Sequence, residues 1–366
     1  MTIAIVLPDL RGGGAERLHV HLANDWVARG LAVEFILFRK QGELLPLLAT
    51  EVTVTALGVD RIRGAIFPLA THLRKSRPQV ICAAMWPLTS ASILAWLLTG
   101  KTGRMYVSDH NQLSVSCVRE MEISLRYLKT FMRLTYPFAN GVIAVSQGVK
   151  NDLCRLGSLR ENQVEVIYNP TATGVSPHRA EHSERERLWG SGFRYHILSV
   201  GTLKTQKDHA TLIRALARLP ENLAAKLVIL GEGPLRADLL ALVNELGLQQ
   251  RVELPGFISD PYPWFRSADL FVLSSRWEGF GNVIVEALEC GVPVVSSDCP
   301  SGPAEILENG RYGKLVPVQD PIALASAMAQ SLGETHDREA LMRRAKDFSV
   351  QKISDQYLAY MFPNGC

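Results

Sequence analysis

Two glutamates eight residues apart, Glu278 and Glu286, stand in the segment Arg276-Trp277-Glu278-Gly279-Phe280-Gly281-Asn282-Val283-Ile284-Val285-Glu286-Ala287-Leu288, directly after an apolar run. Ionised carboxylates only accept hydrogen bonds, which suits them to the vicinal hydroxyls of a ribose or hexose. Gly279 and Gly281 let backbone amides approach a ligand closely. A helix opening near Asn282 aims its positive end at the same place, with Glu286 on the helix and Glu278 in the loop. A second cluster, Gly201-Thr202-Leu203-Lys204-Thr205-Gln206-Lys207, puts two ammonium groups on a loop that leaves another apolar run. There they can neutralise a diphosphate and stabilise it as a leaving group without a metal, solvated surface lysines being their other reading. A third, Arg11-Gly12-Gly13-Gly14-Ala15-Glu16-Arg17, offers loop amides ahead of a helix and suits an anion or another part of a substrate. It lacks both the G-x-G-x-x-G spacing of a dinucleotide site and the lysine of a P-loop, and a plain turn is its other reading.

Positioning these groups is the work of alternating strands and helices. Residues 3–7 are apolar, the glycines break the run, Leu18, Leu22, Trp26 and Val27 recur at helical spacing, and 31–38 is a second apolar run. That is a βαβ unit, which implies a parallel sheet covered by helices on both faces. The pattern recurs at 80–85, 104–108 and 141–145. Residues 171–192 hold little apolar periodicity, and Pro177, His182, Ser183, Glu184, Arg185, Glu186 and Arg187 suggest a linker or an exposed helix. Beyond it a second series of strands is expected at 196–200, 226–230, 270–273, 293–296 and 314–316. The fold class is α/β, with two doubly wound, Rossmann-like domains facing a cleft lined by the carboxyl ends of both sheets.

Composition excludes several other classes. With 47% hydrophobic and 20% charged residues the chain is globular rather than disordered, and 366 residues suffice for two domains with cores of their own. A balance of 39 Lys and Arg against 36 Asp and Glu is too even for a general nucleic-acid binder. The six cysteines, at 82, 117, 154, 290, 299 and 366, form no C-x-x-C pair and read as reduced thiols of a cytoplasmic protein. The opening MTIAIVLPDL has no basic flank and is broken at Pro8, unlike a signal peptide. Residues 80–98 are uncharged and pass a length test for a membrane span. Pro87 interrupts them, and Thr89 and Ser90 supply N-cap chemistry, so a buried strand followed by a short buried helix is the preferred reading.

Taken in order, the glycine loop, the segment from Gly201 to Lys207, Gly231-Glu232-Gly233-Pro234, Pro255-Gly256-Phe257, the paired glutamates and Gly291-Val292-Pro293-Val294-Val295 form a recognisable series. The chain resembles the large family of retaining nucleotide-sugar glycosyltransferases of GT-B fold that share an E-x7-E motif, the glycosyl transferases group 1. The likeness spans almost all of it. The resemblance implies that Glu286 holds the donor ribose, that Glu278 contacts the transferred sugar, and that Gly279, Phe280, Gly281 and Asn282 lie over sugar and phosphate. Lys207 would hold the diphosphate, with Gly201, Gly13 and Gly14 also on the donor and Arg11 and Glu16 toward the acceptor. His110, in Ser108-Asp109-His110-Asn111, matches a histidine that faces the donor sugar. Its expected role is to orient that sugar while a donor phosphate oxygen takes the acceptor proton; a core or loop-capping histidine is the alternative. The family often has Arg after the glycine that is Gly201, where Thr202 stands here, and Lys204 is the expected replacement.

No Asp-x-Asp occurs, so a metal-independent reaction with no cofactor is expected, the nucleotide sugar being a substrate. Domains are expected at 1–175, on the acceptor side, and 193–347, binding the nucleotide sugar, with a linker at 176–192 and a last helix at 348–366 crossing back to the first domain. The expected reaction moves a hexose or N-acetylhexosamine from a UDP-linked donor to a glycan or polyprenyl-linked saccharide in surface polysaccharide assembly. A nucleotide-sugar epimerase of the same fold and a noncatalytic partner subunit are the alternatives. Leu125, Leu128, Phe131, Met132 and Tyr136 with Arg126, Lys129 and Arg133 form an amphipathic basic segment. It fits an anionic membrane surface, which would place the protein peripherally on the cytoplasmic face of the inner membrane. A core-packed helix whose basic side chains snorkel explains the pattern too and is preferred.

Overall fold

In the computed structural model, which describes residues 1–175 and 180–363, all thirteen strands belong to two parallel sheets. The first sheet holds β1 (Thr2–Leu7), β2 (Ala32–Leu37), β3 (Thr53–Ala56), β4 (Val80–Ala84), β5 (Arg104–Asp109), β6 (Gly141–Ala144) and β7 (Val164–Val166), in the order β3-β2-β1-β4-β5-β6-β7. Its central strands are almost wholly buried, as strands covered on both faces must be, and so read as continuous apolar runs. The second sheet holds β8 (Tyr195–Val200), β9 (Ala225–Leu230), β10 (Val252–Gly256), β11 (Leu270–Leu273), β12 (Val294–Ser297) and β13 (Lys314–Val316), in the order β10-β9-β8-β11-β12-β13. Each order reverses beside its first strand, so the loops after β1, β5, β8 and β11 all rise from a carboxyl edge near a switch point.

The chain divides into Met1–Pro170 joined by the segment from Val350, and Thr171–Ser349. Within the first unit the last helix, Val350–Met361, buries Ile353, Tyr357, Leu358 and Met361 in the core built around β1, with the Tyr357 ring 6.3 Å from that of Trp26. The second unit has its own core of Ile197, Leu227, Ile229, Leu270, Val272 and Val295.

Three strands, β3, β7 and β10, have no counterpart in the sequence reading, and each is an edge. Edge strands are short and half-solvated, so their apolar signal is weak. Thr89 and Ser90 are also not caps: they lie inside the helix Leu88–Leu98, where Thr89 bonds the Tyr136 hydroxyl at 2.8 Å and Ser90 bonds Thr135 at 3.0 Å. Pro177 lies outside the described residues. From His182–Trp189 the expected linker is instead a helix fastened to the second unit. Arg185 donates to Asp269 at 2.7 Å, and the fully buried Trp189 donates from its indole to Ser267 at 2.8 Å. One aromatic anchor and one half-buried ion pair hold a helix whose average composition is polar.

Candidate active site

On the second sheet the loop after β8 carries Lys207 and the loop after β11 carries Glu278, 71 residues later. The Lys207 ammonium lies 2.6 Å from Glu278 Oε1, and the Ser275 hydroxyl donates to the same oxygen at 2.6 Å. Glu278 is only 6% exposed, so both contacts act in a dry environment. A Cβ on Gly201 would stand 3.2 Å from the Lys207 stem, a close contact that glycine avoids. The two loops are sewn together: Gln206 donates its side-chain amide to the Trp277 carbonyl at 2.9 Å, and the Arg276 amide donates to the Gln206 carbonyl at 2.8 Å. Ser274 donates to the Lys207 carbonyl at 2.8 Å, and Arg276 pairs with the buried Asp208 at 3.2 Å. Lys204, half-buried, stands at the start of the turn whose carbonyl takes the Lys207 amide at 3.0 Å.

Gly281, at φ 103, turns the chain into the helix Asn282–Glu289, whose N-terminus has no side-chain cap. Gly279 and Gly281 are buried in this turn, and a Cβ on the neighbouring Gly302 would fall 1.8 Å from the Phe280 carbonyl. Phe280 itself does not offer its ring, which is buried and meets that of Phe348 edge-on at 5.4 Å. Glu286 is half-buried one turn along the helix, beside Tyr262, whose hydroxyl is pushed up by burial and then by the Glu286 and Glu289 carboxylates. Glu289 takes the amides of Gly174 at 2.7 Å and Val175 at 3.2 Å and the Tyr262 hydroxyl at 3.1 Å. Burial nevertheless raises its pKa.

On the first sheet His110 follows β5. Its Nε2 lies 3.0 Å from the Ser108 hydroxyl, and its ring meets that of His19 edge-on at 5.5 Å. His19 Nδ1 is 2.7 Å from the Ala15 carbonyl, which can only accept, so that nitrogen carries the proton. Burial lowers both imidazoles, His19 to about 4, so the pair is neutral at ordinary pH. The adjoining Asp109 is fully buried and accepts the Trp86 amide at 2.9 Å and the Tyr136 hydroxyl at 2.5 Å.

The glycine loop after β1 is less open than its sequence suggests. The Gly12 amide donates to the Glu43 carboxylate at 2.9 Å, and the Gly13 amide to the Arg11 carbonyl at 2.6 Å. Arg11, assigned toward the acceptor, is paired with Asp9 at 2.8 Å, while the half-buried Glu16 folds its carboxylate to within 2.1 Å of where a Cβ on Gly13 would stand. Burial raises the Glu16 pKa. The expectation of amides open to an anion is therefore corrected for Gly12 and Gly13, whose amides already have acceptors, Glu43 from outside the loop and Arg11 within it. Gly14 is the first residue of the helix Gly14–Ala28.

Sequence reasoning passed over Ser275, Gln206, Asp208, Arg276, His19 and Asp109. Position was the only available signal, since four of them flank Lys207 or Glu278 and Asp109 adjoins His110. Among the described residues no three His, Cys, Asp or Glu side chains gather as a metal site, and no helix is long and apolar enough to cross a membrane.

Residues 12–174 match the model of Glycosyltransferase Family 4, and residues 194–334 match that of Glycosyl transferases group 1. Over 98% of the chain and 99% of the relative, the sequence is 34% identical to the N-acetylgalactosamine-N,N'-diacetylbacillosaminyl-diphospho-undecaprenol 4-alpha-N-acetylgalactosaminyltransferase of Campylobacter jejuni. The chain belongs to the group 1 glycosyltransferases. A second relative of this transferase is the lipopolysaccharide core biosynthesis glycosyltransferase LpsE of Rhizobium meliloti, 28% identical over 95% of each chain. The fold of the present chain matches that of Anabaena HepE, solved in complex with UDP and glucose, with a TM-score of 0.81 over 98% of each chain at 22% identity. The two parallel α/β units of the transferase are its GT-B architecture.

Proposed function

We propose that the transferase moves a hexose or N-acetylhexosamine from a UDP-linked donor, with retention of configuration, to a lipid-linked saccharide in surface polysaccharide assembly. The contact that carries this reading is the ion pair of Lys207 with Glu278, ahead of the uncapped helix that bears Glu286. It unites a cation for a diphosphate with carboxylates for sugar hydroxyls on one carboxyl edge. Support for the donor comes from HepE, whose structures contain UDP, glucose and UDP-glucose. Support for the acceptor comes from the Campylobacter enzyme, named for a diphospho-undecaprenol saccharide, and from LpsE, named for lipopolysaccharide core biosynthesis.

In this reading Glu286 accepts from the ribose hydroxyls, Glu278 accepts from a hydroxyl of the transferred sugar, and amides of Gly279 to Asn282 face sugar and phosphate. The bond from the anomeric carbon to the diphosphate breaks, and the bond to the acceptor hydroxyl forms on the same face of the sugar. A phosphate oxygen of the donor takes the acceptor proton. Lys207, with Lys204 in place of the arginine absent at Thr202, stabilises the charge that develops on the leaving diphosphate. Neutral His110 orients the sugar.

The test follows UDP release from a panel of UDP-sugars with and without polyprenyl-linked acceptors. Glu286→Ala removes a charge-assisted hydrogen bond worth about 1.5 to 3 kcal/mol, so UDP affinity falls roughly tenfold or more. Unchanged affinity in a folded variant rejects the donor site. Transfer is expected to survive EDTA; complete loss on chelation, restored by magnesium or manganese, rejects the metal-independent mechanism.

A further inference from the structure

Two donors end on one oxygen of Glu278: the Lys207 ammonium and the Ser275 hydroxyl, each at 2.6 Å. They differ in freedom. Ser275 is fully buried, and its own carbonyl accepts the Ser297 hydroxyl at 2.6 Å, so it holds its place between two strands' ends. Lys207 sits on the end of a flexible stem, its side chain 16% exposed, and can turn toward an arriving diphosphate. Glu278, 6% exposed, would then keep one neutral donor and lose the cation paired with it. A buried carboxylate that loses its cation is costly.

We propose that Ser275, Glu278 and Lys207 together discriminate the intact sugar donor from the product nucleotide, with Ser275 as a positioning residue and Glu278 as the group that senses the sugar. The inference rests on the reading that Lys207 and Glu278 face the donor. When the bound molecule carries a sugar, its hydroxyl donates to Glu278 and replaces the lost ammonium. When it is the nucleotide alone, Lys207 is drawn away and nothing replaces it. Ser275 makes the discrimination sharp, because it prevents the carboxylate from following the lysine. The product therefore binds less well than the donor, and the site clears after transfer.

The experiment measures by calorimetry the affinities of UDP, UDP-glucose and UDP-N-acetylgalactosamine for wild type, Glu278→Gln, Ser275→Ala and Glu286→Ala, with thermal melts to check folding. Glu278→Gln keeps the shape and removes the charge, so UDP binds about tenfold more tightly while the sugar nucleotides gain nothing. Ser275→Ala narrows the ratio of sugar-nucleotide to UDP affinity, whereas a residue that only supports the fold would weaken both ligands by one factor. UDP affinity that is unchanged or weaker in a folded Glu278→Gln overturns the inference, as does a constant ratio in Ser275→Ala. Glu286→Ala separates the two failures. If it weakens UDP while Glu278→Gln does not tighten it, the donor site stands and the discrimination falls; if it leaves UDP unaffected, the donor site falls and takes the inference with it.

Discussion

Asp109 shows what a single buried carboxylate does beside a candidate site histidine. Its two donors, the Trp86 amide and the Tyr136 hydroxyl, come from separate segments of the first unit, and neither is charged. Burial is the largest influence on it and raises its pKa from 3.8 to about 6, against the two hydrogen bonds that lower it. Between about pH 4 and about pH 6 the native state therefore holds a proton that the unfolded chain has lost, so this group makes stability fall as pH rises through that window and level off above it. Asp109→Asn keeps an acceptor for Trp86 and cannot ionise. The stability of this variant relative to wild type is expected to rise by on the order of 2 kcal/mol between pH 4 and pH 7. Urea unfolding at several pH values measures it; parallel curves for the two proteins would show that Asp109 does not titrate in this range. His110 leaves the same strand end, so its placement depends on a neighbour to which the sequence reading gave no role.

The helix Leu125–Thr135 presents two different sides. Leu128, Met132 and Thr135 are buried, which is the core-packed helix. Arg126 and Arg133 are exposed and Lys129 is half-buried, and beside them Leu125, Tyr127, Leu134 and Phe138 remain in solvent. A core helix explains the first set and leaves the exposed apolar side chains without a reason, whereas an anionic lipid surface takes basic and apolar groups together. Replacing Arg126, Lys129 and Arg133 with Gln is expected to abolish most binding to anionic vesicles at low salt, since each basic residue near such a surface contributes about 1 kcal/mol. Co-sedimentation reads the result, with UDP affinity unchanged as the control. Absence of lipid dependence in wild type, or a triple variant that binds equally well, would leave the helix a core element and the acceptor a soluble one.

At the scale of the whole molecule, the first unit is completed by residues that arrive only after the second has been built. Tyr357, 2% exposed, packs beside Trp26 on the first helix. Truncation to Ala is expected to cost about 3 kcal/mol or more, by lost burial and the cavity left behind. Its hydroxyl is buried without a hydrogen-bond partner among the described residues, so Tyr357→Phe should be as stable as wild type or more so. Denaturant unfolding of the two variants separates ring packing from hydroxyl; equal losses in both would show that the hydroxyl is bonded. The sequence alone determined the central strands, both doubly wound series, the glycine turns and the paired glutamates, because each is written in neighbouring residues as a run, a break or a spacing. Edge strands β3, β7 and β10 escaped it, since a half-solvated strand carries half the apolar signal. Only the tertiary structure decided that Lys207 meets Glu278 across 71 residues, that Glu43 occupies the Gly12 amide from 31 residues away, and that Trp189 docks a polar helix. Those contacts join segments distant along the chain, and no local pattern of residue types records which charged groups folding will bring within hydrogen-bond distance.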